Sequence, residues 1–114
     1  MKVSVVLVVL NEKKYIKRCI DALLRQTYMN FEIIVIDNGS TDGTGEIINS
    51  YNDERIKYFV ENSKCGLSRL RNIGIEKSRG EFIFFTDGDC IPNKYWREEG
   101  LTRHSQFAPK NGYF

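Results

Sequence analysis

Cysteine, histidine and long apolar runs are all scarce in this chain, and each scarcity excludes a class of protein. Three cysteines occur in 114 residues. Cys19, Cys65 and Cys90 are odd in number and widely spaced, which argues against a disulfide framework and fits a reducing compartment. There is no Cys-x-x-Cys or His-x-x-x-His pair, so the usual spacing of a zinc site is missing. His104, the single histidine, reads as a surface or satisfied side chain. No uninterrupted apolar run approaches the roughly 20 residues that span a bilayer. The apolar stretch 3–10 is short and has no small-residue cleavage site after it, so it reads as a buried strand rather than a signal peptide. A formal net charge of +2 leaves no basic footprint for nucleic acid. The length fits one domain, with no internal repeat, linker or low-complexity stretch.

What is present is an alternation of apolar strands and amphipathic helices. Residues 1–10 read as a first strand, β-branched and continuous enough to be buried on both faces. Asn11 stands where it can cap the next helix, in which Tyr15, Ile16, Cys19, Ile20, Leu23 and Leu24 recur at helical spacing. Residues 31–36 form a second strand. A polar, glycine-rich loop and a short helix around Ile47, Ile48 and Tyr51 follow it. Residues 55–60 alternate Ile56, Tyr58 and Val60 as a third strand, nearer an edge. Residues 66–78 read as a helix with Leu67, Leu70, Ile73 and Gly74 inward, and 81–86 as a fourth strand. Pro92 opens a possible fourth helix. The expected domain is 1–101, with 102–114 as an irregular tail. Strand–helix alternation of this kind implies right-handed parallel crossovers. The expected fold is therefore α/β, an open parallel sheet with helices on both faces and strand order 3-2-1-4.

Two of these strands run straight into carboxylates, which hydrophobic logic does not explain. The second ends in Asp37-Asn38-Gly39-Ser40-Thr41-Asp42 and the fourth in Asp87-Gly88-Asp89. Ligands of open α/β sheets bind outside the carboxyl ends of the strands. Two acidic ends there suit a cation, a ribose or both. Asp87 and Asp89 lie two residues apart, so in extended backbone both can approach one ion, and oxygen ligands suit Mg²⁺ or Mn²⁺. Asp-Gly is also a common turn dipeptide, and spacing alone favours the turn. The first loop offers acceptors to a base or ribose, yet Ser40, Thr41 or Asp42 can equally cap the next helix. Arg71 can pair with a phosphate or base carbonyl, or simply lie on a solvated helix face. Cys90 reads as a small buried filler. No Gly-x-Gly-x-x-Gly or Walker sequence is present. A flavodoxin-like phosphoacceptor pocket would need a lysine on a later strand, and Lys94 falls past the last one.

In order and spacing these segments resemble the nucleotide-binding half of family 2 glycosyltransferases, of the Rossmann-like glycosyltransferase-A fold. The resemblance runs from about residue 3 to 96. It rests on Asn11-Glu12, on residues 31–44, on Gly66-Leu67-Ser68 with Arg71-Asn72-Ile73-Gly74-Ile75, and on Gly80-Glu81-Phe82-Ile83 leading to the Asp87-Gly88-Asp89 (DXD) motif. It implies a nucleotide-diphosphate sugar donor of UDP, GDP or dTDP type and a divalent cation, Mg²⁺ or Mn²⁺. It also implies inverting transfer to a hydroxyl of a polysaccharide, lipid or protein-glycan acceptor. Asp37 would contact the base and Arg71 the base or phosphate. Asp87 would face ribose and metal, and Asp89 would ligate the metal. Asn11, Glu12, Asn38 and Gly39 complete the implied nucleotide-binding set.

The sequence departs from the family pattern in two places. Val8-Val9-Leu10 stands where the family often has Pro-Thr-Tyr, so Leu10 is given no role. No carboxylate matches the family's general base; Glu98 and Glu99 read as a solvated helix face, and the catalytic residue is unassigned. The alternative expectation is a truncated or non-catalytic nucleotide-binding module. A fourth strand left at the sheet edge would expose unpaired backbone, so the expectation is either a fragment of a longer sheet or a second copy of the chain covering that edge. The expected location is cytoplasmic, with peripheral attachment at the inner face of a membrane allowed.

Overall fold

The computed structural model describes residues 2–25, 30–62, 66–87 and 106–109. Seven of its elements alternate: β1 (Val3–Val9), α1 (Ile16–Leu24), β2 (Phe31–Asp37), α2 (Thr44–Asn49), β3 (Ile56–Val60), α3 (Leu67–Lys77) and β4 (Phe82–Asp87). An eighth, β5 (Gln106–Pro109), closes the series. The sheet order is β3-β2-β1-β4-β5. β1 pairs in parallel with β2 and β4, and β2 in parallel with β3. The expected order 3-2-1-4 is therefore present.

β1 is central, and its composition follows from that. Val3, Val5, Leu7 and Val9 face α1 and α2, where Ile16, Cys19, Ile20, Leu23 and Ile48 bury against them. Val6 faces α3 and packs with Ile34, Ile36, Leu70 and Ile83. A strand with an apolar partner on each side has no use for polar alternation, which is why β1 and β2 read as continuous apolar runs. α3 comes unusually close to the sheet at Gly74, where an added Cβ would lie 2.3 Å from Val6 Cγ1.

Several details differ from expectation. Tyr15 is not on the inner face of α1; it precedes the helix and is exposed. Leu67 opens α3 with 48% of its surface exposed instead of lining the inner stripe. Residues 106–109, read as irregular tail, pair antiparallel with β4, Phe82 opposite Pro109 and Phe85 opposite Gln106. The edge of β4 is thus covered from within the chain, and the reason for a second copy at that edge falls away. Four residues carry too little period to announce a strand, and Pro109 is tolerated because it lies on a sheet edge. The expected helix at Pro92 lies outside the described residues. No described helix is long and apolar enough to cross a membrane.

The amino end of the sheet holds a buried polar cluster. Glu32, 2% exposed, accepts from Ser4 Oγ at 2.6 Å and from the Arg79 N–H, while the Gly80 N–H donates to Ser4 Oγ at 2.7 Å. These bonds satisfy an interior carboxylate that would otherwise cost several kcal/mol.

The contact at Gly74 yields a stability prediction. Gly74→Ala is expected to lower unfolding free energy by about 2 kcal/mol, because Val6 is β-branched and fully enclosed. Urea unfolding of the two proteins measures the difference.

Candidate functional site

The carboxyl ends of β1 and β2 are joined by a set of hydrogen bonds between the loops that follow them. Asn11 adopts a left-handed backbone, φ 52°. Its N–H donates to Ser40 Oγ at 2.8 Å, and its Oδ1 accepts from the Thr41 N–H at 2.8 Å. The Glu12 N–H donates to Thr44 Oγ1 at 3.0 Å and the Lys13 N–H to Asp42 Oδ2 at 3.1 Å. Asp42 Oδ1 accepts from the Thr44 hydroxyl and, at 3.1 Å, from the Thr44 N–H. Three consecutive amides of the first loop are therefore held by side chains of the second loop and of the first residue of α2.

This arrangement changes the part given to Asn11. It does not cap α1, whose N-cap is Tyr15 without a side-chain bond. The Glu12 carbonyl instead accepts the first helical amides, from Tyr15 at 2.9 Å and Ile16 at 2.8 Å. Asn tolerates the left-handed region, which frees its carboxamide to reach across to the neighbouring loop. In the second loop Asp42 accepts from the first amide of α2, Thr44, while the N-cap itself is Gly43, without a side-chain bond.

Asp37 is enclosed by its own chain. It is 1% exposed. Its Oδ1 accepts from the Ser40 N–H at 2.8 Å and its Oδ2 from the Tyr58 hydroxyl. Both carboxylate oxygens are thus engaged by the protein, and the half-buried Asn38 and Gly39 lie nearer solvent. Gly39 takes φ 91°, where a side chain is disfavoured. A strand-end acid was legible in the sequence, but its burial beneath a tyrosine from β3 was not, because Tyr58 in an alternating edge strand looks like ordinary packing.

β1 separates the two acidic strand ends. Asp37 is opposite Val9 and Asp87 opposite Val8. With strands about 4.8 Å apart, their backbones lie about 10 Å from each other across β1. The register also puts them at successive levels of the pleat, so they occupy positions of opposite parity. Arg71, half-buried on α3, stacks over Phe85 at 5.8 Å from the ring centroid, on the α3 face. The described candidates are thus spread: Asn11, Glu12 and residues 37–39 gather beyond β1 and β2, the end of β4 lies on the other side of β1, and Arg71 sits on the α3 face over Phe85, which is opposite Val6. Asp89, Cys90, Lys94, Glu98, Glu99 and His104 lie outside the described residues. Among the described residues no group of three metal-capable side chains gathers.

Charge is tuned in the loop itself. The Thr44 hydroxyl, then the N–H groups of Lys13 and Thr44, hold the Asp42 carboxyl below the usual aspartate value of 3.8. The Tyr51 hydroxyl does the same for Asp21, and Arg55 for Asp53. A lowered folded pKa contributes stability above the unfolded value and loses it as pH falls through the folded one.

Comparison with known proteins gives consistent matches. A family model described as Glycosyl transferase family 2 matches residues 4–108. Glycosyltransferase AglE of Haloferax volcanii is 39% identical over 104 residues, 88% of this chain and 34% of that protein. The crystal structure of S. aureus TarS 1-349 in complex with UDP-GlcNAc superposes with a TM-score of 0.80 at 32% identity, covering 87% of this chain and 30% of that one. The mannosyltransferase PcManGT from Pyrobaculum calidifontis, in complex with GDP-Man and Mn²⁺, gives 0.74 at 26% identity, over 80% of this chain and 28% of that one. The chain spans about a third of the length of these relatives.

Two tests follow from the loop bonds. Asn11→Ala loses both the Thr41 bond and an easy left-handed backbone, and is expected to cost about 1–3 kcal/mol in chemical unfolding; Asn11→Gly, which keeps the backbone, should cost less. Asp42→Asn should melt below the parent protein at pH 7. The two melting temperatures should start to converge as pH falls below about 4 and meet once it has passed through the lowered value of the folded Asp42, where the parent carboxyl is protonated too.

Proposed function

Because the chain belongs to glycosyl transferase family 2, we propose that the carboxyl end of its sheet holds the nucleoside diphosphate of a sugar donor. The observation that carries this reading is the fused pair of loops after β1 and β2. It makes a rigid polar rim at the sheet end where α/β folds take ligands. That TarS has been solved with UDP-GlcNAc and PcManGT with GDP-Man and Mn²⁺ supports a nucleotide sugar as the donor class.

Within this reading the residues divide their work. Asn38 and Gly39, with Asn11 and Glu12, form the wall for base and ribose. Asp37 serves them from behind, through Ser40 and Tyr58, in place of the direct base contact that the resemblance implies. Arg71, on the α3 face over Phe85, is given the base or phosphate part of the ligand. A donor laid across the end of β1 would reach from residues 37–39 to the end of β4.

Asp87 and Asp89 present hard oxygen donors two residues apart, a donor set that fits Mg²⁺ or Mn²⁺ with diphosphate oxygens completing the shell. Such an ion, when bound, neutralises charge on the departing diphosphate. The acceptor hydroxyl of a polysaccharide, lipid or protein glycan would attack the sugar with inversion. The group that takes its proton is unassigned in this chain. Because the chain spans only about a third of its relatives, a second reading is a module that holds the nucleotide without transferring sugar. Donor-transfer assays separate the two. A cytoplasmic setting belongs to the same proposal and rests on cysteine usage.

A thermal-shift panel of UDP, GDP and dTDP, each with and without Mn²⁺, tests the binding reading. A ligand at 100 times its dissociation constant should stabilise the fold by about 2.7 kcal/mol. The shift should need the cation and vanish in Asp89→Ala. No shift with any nucleotide would contradict the proposal.

A further inference from the structure

The Tyr58–Asp37 pair has a geometry that ordinary packing does not need. Tyr58 belongs to the edge strand β3, opposite Val35, and its hydroxyl runs along the sheet face to Asp37 Oδ2, two residues further on the neighbouring strand β2. An edge strand exposes a face where a phenol could have pointed to water. The chain instead makes room for it: a Cβ added at Gly45, in the first turn of α2, would lie 2.6 Å from the Tyr58 hydroxyl oxygen. The hydroxyl is thus seated between the carboxylate and the start of α2. Burial, then the bond to Asp37, push the Tyr58 phenol above its usual range, so it remains a proton donor throughout the physiological range.

From that seat the contacts run outward in one direction. Asp37 Oδ1 holds the Ser40 N–H, Ser40 Oγ holds the Asn11 N–H, and Asn11 Oδ1 holds the Thr41 N–H. Every link ends in a backbone amide of the two loops at the ligand end. Rotation of the Asp37 carboxylate would release Ser40 first and the β1 loop after it. Such rotation is what a bond to its second oxygen prevents.

We propose that Tyr58 is a positioning residue for the donor site: its hydroxyl locks the Asp37 carboxylate and so fixes the backbone of residues 38–41 against which the nucleotide rests. It touches no ligand itself. The inference extends the donor-binding reading above and relies on it only for the effect on affinity.

The molecule supplies its own control. Tyr51 makes the same kind of bond, hydroxyl to Asp21 Oδ1 at 2.6 Å, but ties the end of α2 to α1, away from the loops. Tyr58→Phe and Tyr51→Phe each delete one hydroxyl bonded to a carboxylate and keep the ring. Two measurements on the whole chain decide the matter. Amide hydrogen exchange at Ser40 and Thr41 should quicken about tenfold or more in Tyr58→Phe. It should stay at the parent rate in Tyr51→Phe, with Val6 and Ile34 unchanged in both. Calorimetric titration with UDP and with GDP, in Mn²⁺, should show about tenfold weaker binding in Tyr58→Phe alone. Parent-like exchange at Ser40 in Tyr58→Phe overturns the inference. So does faster exchange with unaltered affinity, or an equal loss of affinity in Tyr51→Phe. A parent protein that binds neither nucleotide refutes the donor reading instead, and the exchange data still judge whether Tyr58 fixes the loop.

Discussion

A central strand with apolar neighbours on both faces is the constraint from which the rest of this molecule follows. β1 is wrapped by α1 and α2 on one side and by α3 on the other. No polar side chain can be placed along its middle without losing hydration. Polar chemistry is therefore driven to the two ends of the sheet, and the two ends have taken different forms. At the amino end, Ser4, Glu32 and the amides of Arg79 and Gly80 satisfy one another inside the protein. At the carboxyl end, side chains satisfy the amides of a neighbouring loop and leave a polar rim facing outward. The first end is closed, and the second has its backbone fixed but its surface open, the condition of a preorganised ligand site.

The same constraint explains which parts of the fold could be read from residues alone. Continuous β-branched runs at 3–9 and 31–36 have few alternatives to a buried parallel strand, and the crossover rule then orders them. Tyr15 and Leu67 were misplaced because helical period does not say where the first turn begins, and both residues stand at that boundary. β5 was missed because an antiparallel edge strand of four residues is made by its partner, β4, rather than by its own pattern.

The site was legible in outline and not in its internal division of labour. A carboxylate at a strand end announces polar chemistry, and Asp37 was found by that signal. That its two oxygens are engaged by Ser40 and Tyr58 depends on β3 lying beside β2, with Tyr58 opposite Val35. Asn11 was likewise visible as a special residue after a strand, but a capping Asn and a bridging Asn have the same letter. Only the left-handed backbone distinguishes them. Sequence identifies the candidate residues more readily than it identifies which of them stand behind the others.

The central claim is that one end of the sheet, and not the other, receives a metallated nucleoside diphosphate. Amide chemical-shift mapping of the isotope-labelled chain with UDP or GDP and Mg²⁺ measures this residue by residue. The account predicts shifts gathered at Asn11, Glu12, Asn38, Gly39 and Arg71, with Ser4, Glu32 and Gly80 unmoved. Shifts centred on the Ser4–Glu32 end, or spread evenly over the sheet, would contradict it.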